Sequence, residues 1–166
     1  MSEHPALEAG LILKALLDAN VDFVLIGGLA AQVHGSPSLT RDVDLCVDLD
    51  RDNLEHLASA LETLAAIRRG LPEGVRAPLD VRALRAGDLF TLRTRYGDLD
   101  LLAHPDPDLD FASLATRSIT AELFGFRIRV ASLEDLMAMK RAAGRPKDRI
   151  ELEILGALRE ELDRRE

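Results

Sequence analysis

Residues 40–48 read TRDVDLCVD. Asp42, Val43 and Asp44 place two carboxylates two positions apart in a run otherwise built of Val, Leu and Cys. In a strand, residues i and i+2 share a face, so Asp42 and Asp44 project together, roughly 6.5 Å apart at Cα. Val43, Leu45 and Val47 then turn the opposite way, into a core. An ionised Asp on a buried strand is strongly disfavoured unless it is paired or bound to a metal. Two adjacent carboxylates also repel unless positive charge sits between them. A divalent cation meets both conditions, and hard oxygen ligands favour Mg²⁺. The competing reading is an edge strand with a solvated Asp face. Asp48 and Asp50 continue the alternation and support it, although Asp50 is better placed as the N-cap of a helix beginning at Arg51.

Outward from this stretch, helices and strands intersperse. Leu7, Leu11, Ile12, Ala15 and Leu16 recur at helical spacing and predict a helix over 5–19. VDFVLIGG, 21–28, reads as a strand running into a tight turn at Gly27–Gly28. LAAQVHG is a short helix ended by Gly35, and SPSLT is a loop. After the strand at 42–47, Leu54, Leu57, Ala58, Leu61 and Leu64 form one helical stripe within 51–69. Gly70, Pro72, Gly74 and Pro78 leave 70–88 irregular. LFTLRTRYGDLDLLA predicts a hairpin turning at Tyr96-Gly97-Asp98. A helical turn or two follows around Phe111–Thr116, then a short hairpin around Gly125. Ser132-x-x-Asp135 marks a helix start, with a stop at Gly144. RPKD leads into a last helix from Arg149 to about Leu162, with Asp148 as its expected N-cap. The resulting expectation is an α+β fold, a mixed sheet covered by helices, in one domain over 1–166.

Composition narrows the function classes. The chain has 166 residues, 47% hydrophobic, enough for one real core. Aromatics are 4% and Trp is absent, so that core is mostly Leu, Ala, Val and Ile. A net charge of −8 argues against broad binding to nucleic acid or anionic membrane, though not against a local basic site. The single cysteine, Cys46, excludes an intramolecular disulfide and a Cys-rich zinc site within the chain. The start, MSEHPALEAG, lacks the basic n-region of a signal peptide, and the apolar runs are far short of a membrane span. A soluble, cytoplasmic protein with no membrane partner is expected.

Two further features join Asp42 and Asp44. Glycines between a strand and a helix let backbone N–H groups approach a phosphate, which makes Gly27 and Gly28 candidates. The segment reads G-G-L-A-A-Q and matches neither the dinucleotide fingerprint nor a Walker A loop. Asp100, in LDL, is a third carboxylate in an apolar strand. Asp98 shares its face but falls in the expected turn, where Asp is ordinary. DPDLD at 106–110 resembles a calcium loop only at its start, since Phe111 and Arg117 stand where that loop needs Gly and Glu. Lys140 follows the apolar Met137 and Met139 and reads as a functional cation. Arg141 and Arg149 read as helix-end surface charges. His34 reads as a packing or hydrogen-bonding residue, His104 as a candidate for the site's edge, and Cys46 as a small buried hydrophobe.

Together, LIGGLAAQVHGSPSLTRDVDLCV and GDLDLL resemble the nucleotidyltransferase superfamily, the polymerase-beta-like fold. The tail LEDLMAMKRAAGRPKDRIELEIL is similar to small bacterial members related to abortive-infection toxins of toxin–antitoxin systems. The resemblance covers most of the chain, least over 70–88. It implies a metal-dependent nucleotidyltransferase that moves NMP from an NTP to a hydroxyl acceptor on RNA, protein or a small molecule, with a toxin role and an antitoxin partner. In that scheme Asp42 and Asp44 hold Mg²⁺ against the triphosphate, and Asp100 serves a second ion and deprotonates the acceptor. Gly27, Gly28 and Ser36 cradle phosphates, while Arg41, Lys140, Arg145 and Lys147 neutralise their charge. A non-catalytic nucleotide-binding or antitoxin-like interaction protein on the same fold is the alternative, against which three clustered acids count.

Overall fold

The acidic strand sits in the middle of a sheet in the computed structural model, which describes residues 4–166. Strand β1 (Phe23–Ile26) follows helix α1 (Ala9–Asp18) and leads directly into α2 (Gly27–Val33). Strand β2 (Asp42–Val47) precedes α3 (Arg51–Thr63), whose N-cap Asp50 accepts from Asp52 N–H as its sequence position predicts. Then come β3 (Ile67–Arg68), α4 (Val81–Ala86), the hairpin β4 (Leu89–Thr94) and β5 (Gly97–Leu102), and α5 (Phe111–Arg117). A second hairpin, β6 (Ile119–Leu123) and β7 (Phe126–Val130), is followed by α6 (Leu133–Ala143) and α7 (Pro146–Arg165). The seven strands form one sheet in the order β3-β4-β5-β2-β1-β7-β6. The β2–β5 and β1–β7 pairs are parallel and the others antiparallel, so the sheet is mixed and the fold α+β.

Strand alternation sorts the sheet into a dry face and a working face. Val43, Leu45, Leu99 and Leu101 are buried, as are Ile12, Leu13 and Leu16 of α1 and Leu54, Leu57 and Leu61 of α3. Asp42, Asp44, Asp98 and Asp100 alternate with those residues on β2 and β5 and are half-buried. Cys46 is buried with a thiol that burial pushes up to about 12, so it is the inert small hydrophobe expected. No helix among the described residues is long and apolar enough to cross a membrane.

Five local expectations are corrected. The first helix starts at Ala9 rather than residue 5. The stripe over 51–69 ends at Thr63, because Ala65 turns left-handed (φ +52°) and Ala66 N–H returns to Leu61 O at 2.9 Å, a Schellman-type stop. Past that stop the chain pairs with β4 as the two-residue β3, so Arg68 lies in the edge strand and Arg69 just past it, and neither is on a helix. Within 70–88, Asp80 caps α4 by accepting from Ala83 N–H at 2.9 Å. The hairpin turns at Arg95–Tyr96, which places Asp98 inside β5 opposite Arg93 rather than in the turn. Finally, α7 begins at Pro146, a favoured first helical residue, with Arg145 at the N-cap. Asp148 is therefore not the N-cap; it sits in the first turn and reaches back to Arg145 N–H at 3.0 Å.

Candidate active site

Parallel pairing of β2 with β5 sets Asp42 opposite Asp98 and Asp44 opposite Asp100. Asp42, Asp44 and Asp100 each present one carboxylate oxygen, and the three lie within 4.8 Å of one another. Two chain segments thus supply one cluster of three acids: alternation sets the face within each strand, and the β2–β5 pairing brings the two faces together. Burial pushes Asp44 up to about 8, and the charges of Asp42 and Asp100 add to that push. Burial also raises Asp100, against the lowering pull of Arg69. Three hard oxygen donors this close are compatible with a divalent cation, whose charge would reverse this local logic.

The start of α2 is built to leave those oxygens room. Gly27 has φ +70°, and a methyl group there would come within 2.2 Å of Asp44 Oδ2. At Gly28 a methyl group would stand 2.9 Å from Thr40 Cβ. Thr40 Oγ1 in turn donates to Asp42 O at 2.9 Å. Both glycines therefore allow α2 to press against the acidic strand.

A cleft of about 180 Å³ opens beside Asp44, with Gly27, Met139, Lys140, Arg145 and Asp148 in its wall. Asp148 has 0% exposure. It accepts from Arg145 Nε at 2.7 Å and from Lys140 Nζ at 3.4 Å, and Arg145's hydrogen bonds hold it down at about 2. An enclosed anion from α7 thus orients two cations at the cleft. A larger open groove of about 640 Å³, between Leu11, Leu39, Phe124 and Phe126, reaches Thr40 but holds no member of the acid cluster.

The remaining sequence candidates lie outside that cleft. Ser36 is buried, and its Oγ accepts from Ser38 N–H at 3.3 Å. Arg41 and Lys147 are exposed, the first just before β2 and the second in the first turn of α7. His34 Nε2 donates to Ala131 O at 2.9 Å, as expected of a hydrogen-bonding residue. His104 is exposed and pairs with Asp88 at 3.2 Å.

On the opposite flank stand residues that the sequence reading missed. Arg69 Nη1 donates to Asp98 Oδ2 at 3.1 Å and Nη2 donates to Asp100 Oδ1. Arg93 Nε lies 3.5 Å from Asp98 Oδ1, an ion pair rather than a hydrogen bond. The adjacent Arg68-Arg69 was visible, but a two-residue strand leaves no alternation to read.

Residues 12–154 match the family model described as nucleotidyl transferase AbiEii toxin, type IV toxin–antitoxin system. Among solved structures, a candidate nucleotidyltransferase from Thermotoga maritima is 17% identical with a TM-score of 0.55, over 99% of each chain. An antigenic nucleotidyltransferase-like protein from Paracoccidioides brasiliensis is 18% identical with a TM-score of 0.56, over 93% of this chain and 77% of that one. The structure of ANT(2'')-Ia in complex with adenylyl-2''-tobramycin is 19% identical with a TM-score of 0.52, over 93% and 94%. No curated protein sequence matches. At these identities the structural likeness shows the fold.

Proposed function

The chain belongs to the nucleotidyl transferase AbiEii toxin family of type IV toxin–antitoxin systems, and on that premise we propose that it moves NMP from an NTP to a hydroxyl acceptor in a Mg²⁺-dependent reaction. The observation that carries the proposal is the cluster of Asp42, Asp44 and Asp100, with ligand oxygens within 4.8 Å, next to a cleft walled by Lys140 and Arg145. Asp42 and Asp44 would hold the ion and Asp100 would share a second one. Bound there, divalent ions neutralise the triphosphate and polarise the phosphorus under attack.

The chain's own residues do the rest. Lys140 and Arg145 bind the triphosphate, Lys as a point charge and Arg through the guanidinium N–H groups that Asp148 does not take. Gly27 and Gly28 bring backbone close to the phosphates. Ser36 would add to the phosphate cradle, and Arg41 and Lys147, exposed outside the cleft wall, would add charge to neutralise the triphosphate. Asp100 takes the proton of the acceptor hydroxyl as its oxygen bonds to the α-phosphorus. The bond from that phosphorus to the departing pyrophosphate breaks in the same displacement. RNA, a protein or a small molecule can offer the hydroxyl, and a cognate antitoxin is the partner the family implies.

The test is calorimetry of each NTP with and without Mg²⁺, followed by transfer from labelled NTP into total cell extract. Mg²⁺-dependent binding and a labelled product are expected. Binding without transfer would leave the non-catalytic relative, and no Mg²⁺-dependent binding would make the acids structural.

A further inference from the structure

Resting on the proposed transfer, we propose that Arg69 is a positioning residue that fixes the third carboxylate, Asp100, by bridging it to Asp98. Arg69 is anchored at its backbone: its N–H donates to Thr91 O at 2.8 Å, just past β3. Thr91 is the residue of β4 directly opposite Asp100. The side chain therefore crosses one strand to reach β5. There its two terminal nitrogens take different carboxylates, Asp98 and Asp100, two positions apart on one face. Arg93, opposite Asp98, completes a row of alternating charge: Arg93, Asp98, Arg69, Asp100.

The bridge answers a problem that the cluster creates. An Asp carboxylate turns freely about its last torsion. Next to Asp42, like charge drives Asp100 outward, away from the place where three oxygens converge. A planar, rigid guanidinium held at two points takes up one Asp100 oxygen and fixes the plane of the other. A lysine keeps the charge but cannot bridge two carboxylates with a fixed fork. Asp98 acts through Arg69, as the second point of attachment. The donors and acceptors are only partly enclosed, with side-chain exposures of 27% for Arg69, 25% for Asp98 and 17% for Asp100. A loss here is accordingly felt more in the geometry of the site than in the stability of the core.

The decisive variant is Arg69→Lys, which holds charge constant and removes the fork. Mn²⁺ binding to the nucleotide-free protein is measured by paramagnetic resonance, alongside NTP affinity, kcat and KM for transfer, and the melting temperature. Arg69→Lys is expected to bind Mn²⁺ about 10-fold more weakly and to lose about 10-fold in kcat, the lower range for groups that orient metal ligands. KM and the melting temperature stay near wild type. Asp98→Asn moves the same readouts the same way by less. Wild-type Mn²⁺ affinity and kcat in Arg69→Lys would show that Arg69 supplies only charge and overturn the proposal. So would a lowered melting temperature with both unchanged. If the wild-type protein itself binds no Mn²⁺, the transferase reading fails first and this inference falls with it.

Discussion

The acid cluster has a cation-bearing flank on each side, and the two use the same parts in opposite ways. On the helical flank, fully enclosed Asp148 takes Arg145 and Lys140, and those cations border an open cleft. On the sheet flank, partly exposed Asp98 takes Arg69 and Arg93, and Arg69 goes on to grip Asp100. In the first case one buried anion holds cations at the wall of an open cleft. In the second, cations hold anions in place among themselves. A positive side chain near such a site thus takes its meaning from what else binds it, not from its charge.

The comparison meets its hardest test at the acids between the flanks. Asp44→Asn should lower transfer at least ~1,000-fold, since replacing an anionic ion ligand by a neutral oxygen forfeits several kcal/mol of transition-state stabilisation. The same variant should be more stable than wild type in chelator at pH 8. Asp44 holds its proton up to about 8 in the folded chain against 3.8 unfolded. The native state then binds more protons, so wild-type stability falls as pH rises from about 4 to about 8. Asparagine mimics the protonated acid, and its advantage, on the order of a few kcal/mol at most, grows across that window. Thermal melts at pH 5 and pH 8 check this; parallel curves would return the acids to a solvated face.

Next in size is the helical flank. Asp148→Asn leaves Lys140 and Arg145 without their enclosed anion and should cost about 2 kcal/mol at pH 7, the linkage value of a carboxylate held at about 2 against 3.8. Asp148 is held at about 2 against 3.8. Its contribution is complete above about pH 4 and lost as pH falls through 2, so the two proteins should converge in acid. Urea titrations at pH 7 and near pH 2 decide it, and an undiminished gap in acid would contradict the ion-pair account. Asp100→Asn keeps shape and one ligand oxygen but is no base. It should lower transfer about 100-fold, with NTP affinity within a few-fold of wild type. A dead Asp98→Asn beside a normal Asp100→Asn, measured on matched preparations, would exchange the roles of the two.

The smallest effect sharpens the contrast between cations. Lys140→Ala should weaken Mg²⁺·NTP binding about 10-fold, the loss of one charge-assisted contact. Arg149→Ala, exposed on α7 and outside the cleft wall, should change it less than about two-fold. Calorimetry on the two variants side by side is the measurement, and equal affinities would move the triphosphate elsewhere.

What could be read in advance follows the same division. Asp42, Asp44 and Asp100 were legible because period-two alternation is local, and so were the caps Asp50 and Ser132. That the acids converge required knowing that β2 lies beside β5 in one register, which no local pattern states. An apolar stripe that continues past the helix's C-terminal stop hides Arg69, and an expected turn at 96–98, which the structure places at 95–96, hides Asp98. Gly27 and Gly28 were visible as turn residues, but the oxygen and the threonine they make room for come from a different strand and loop. Asp148 is legible as a residue of the helix start but not its place there, because Pro146 carries the helix back over the RPKD linker.

The parallel closure of β2 on β5 has a further consequence, in the order of events during folding. Parallel pairs of distant segments form slowly, since chain entropy must be lost before contacts repay it. Here the closing step also drives Asp42 against Asp98 and Asp44 against Asp100. The apolar residues between them pull the strands together while the acids resist. As the chain leaves the ribosome, β2 waits for β5, and Lys140 follows later still. A free ion, or a proton on Asp44, removes the resistance, so the closing step should quicken in either. The partly made protein thus has no assembled acid cluster until most of its length is present.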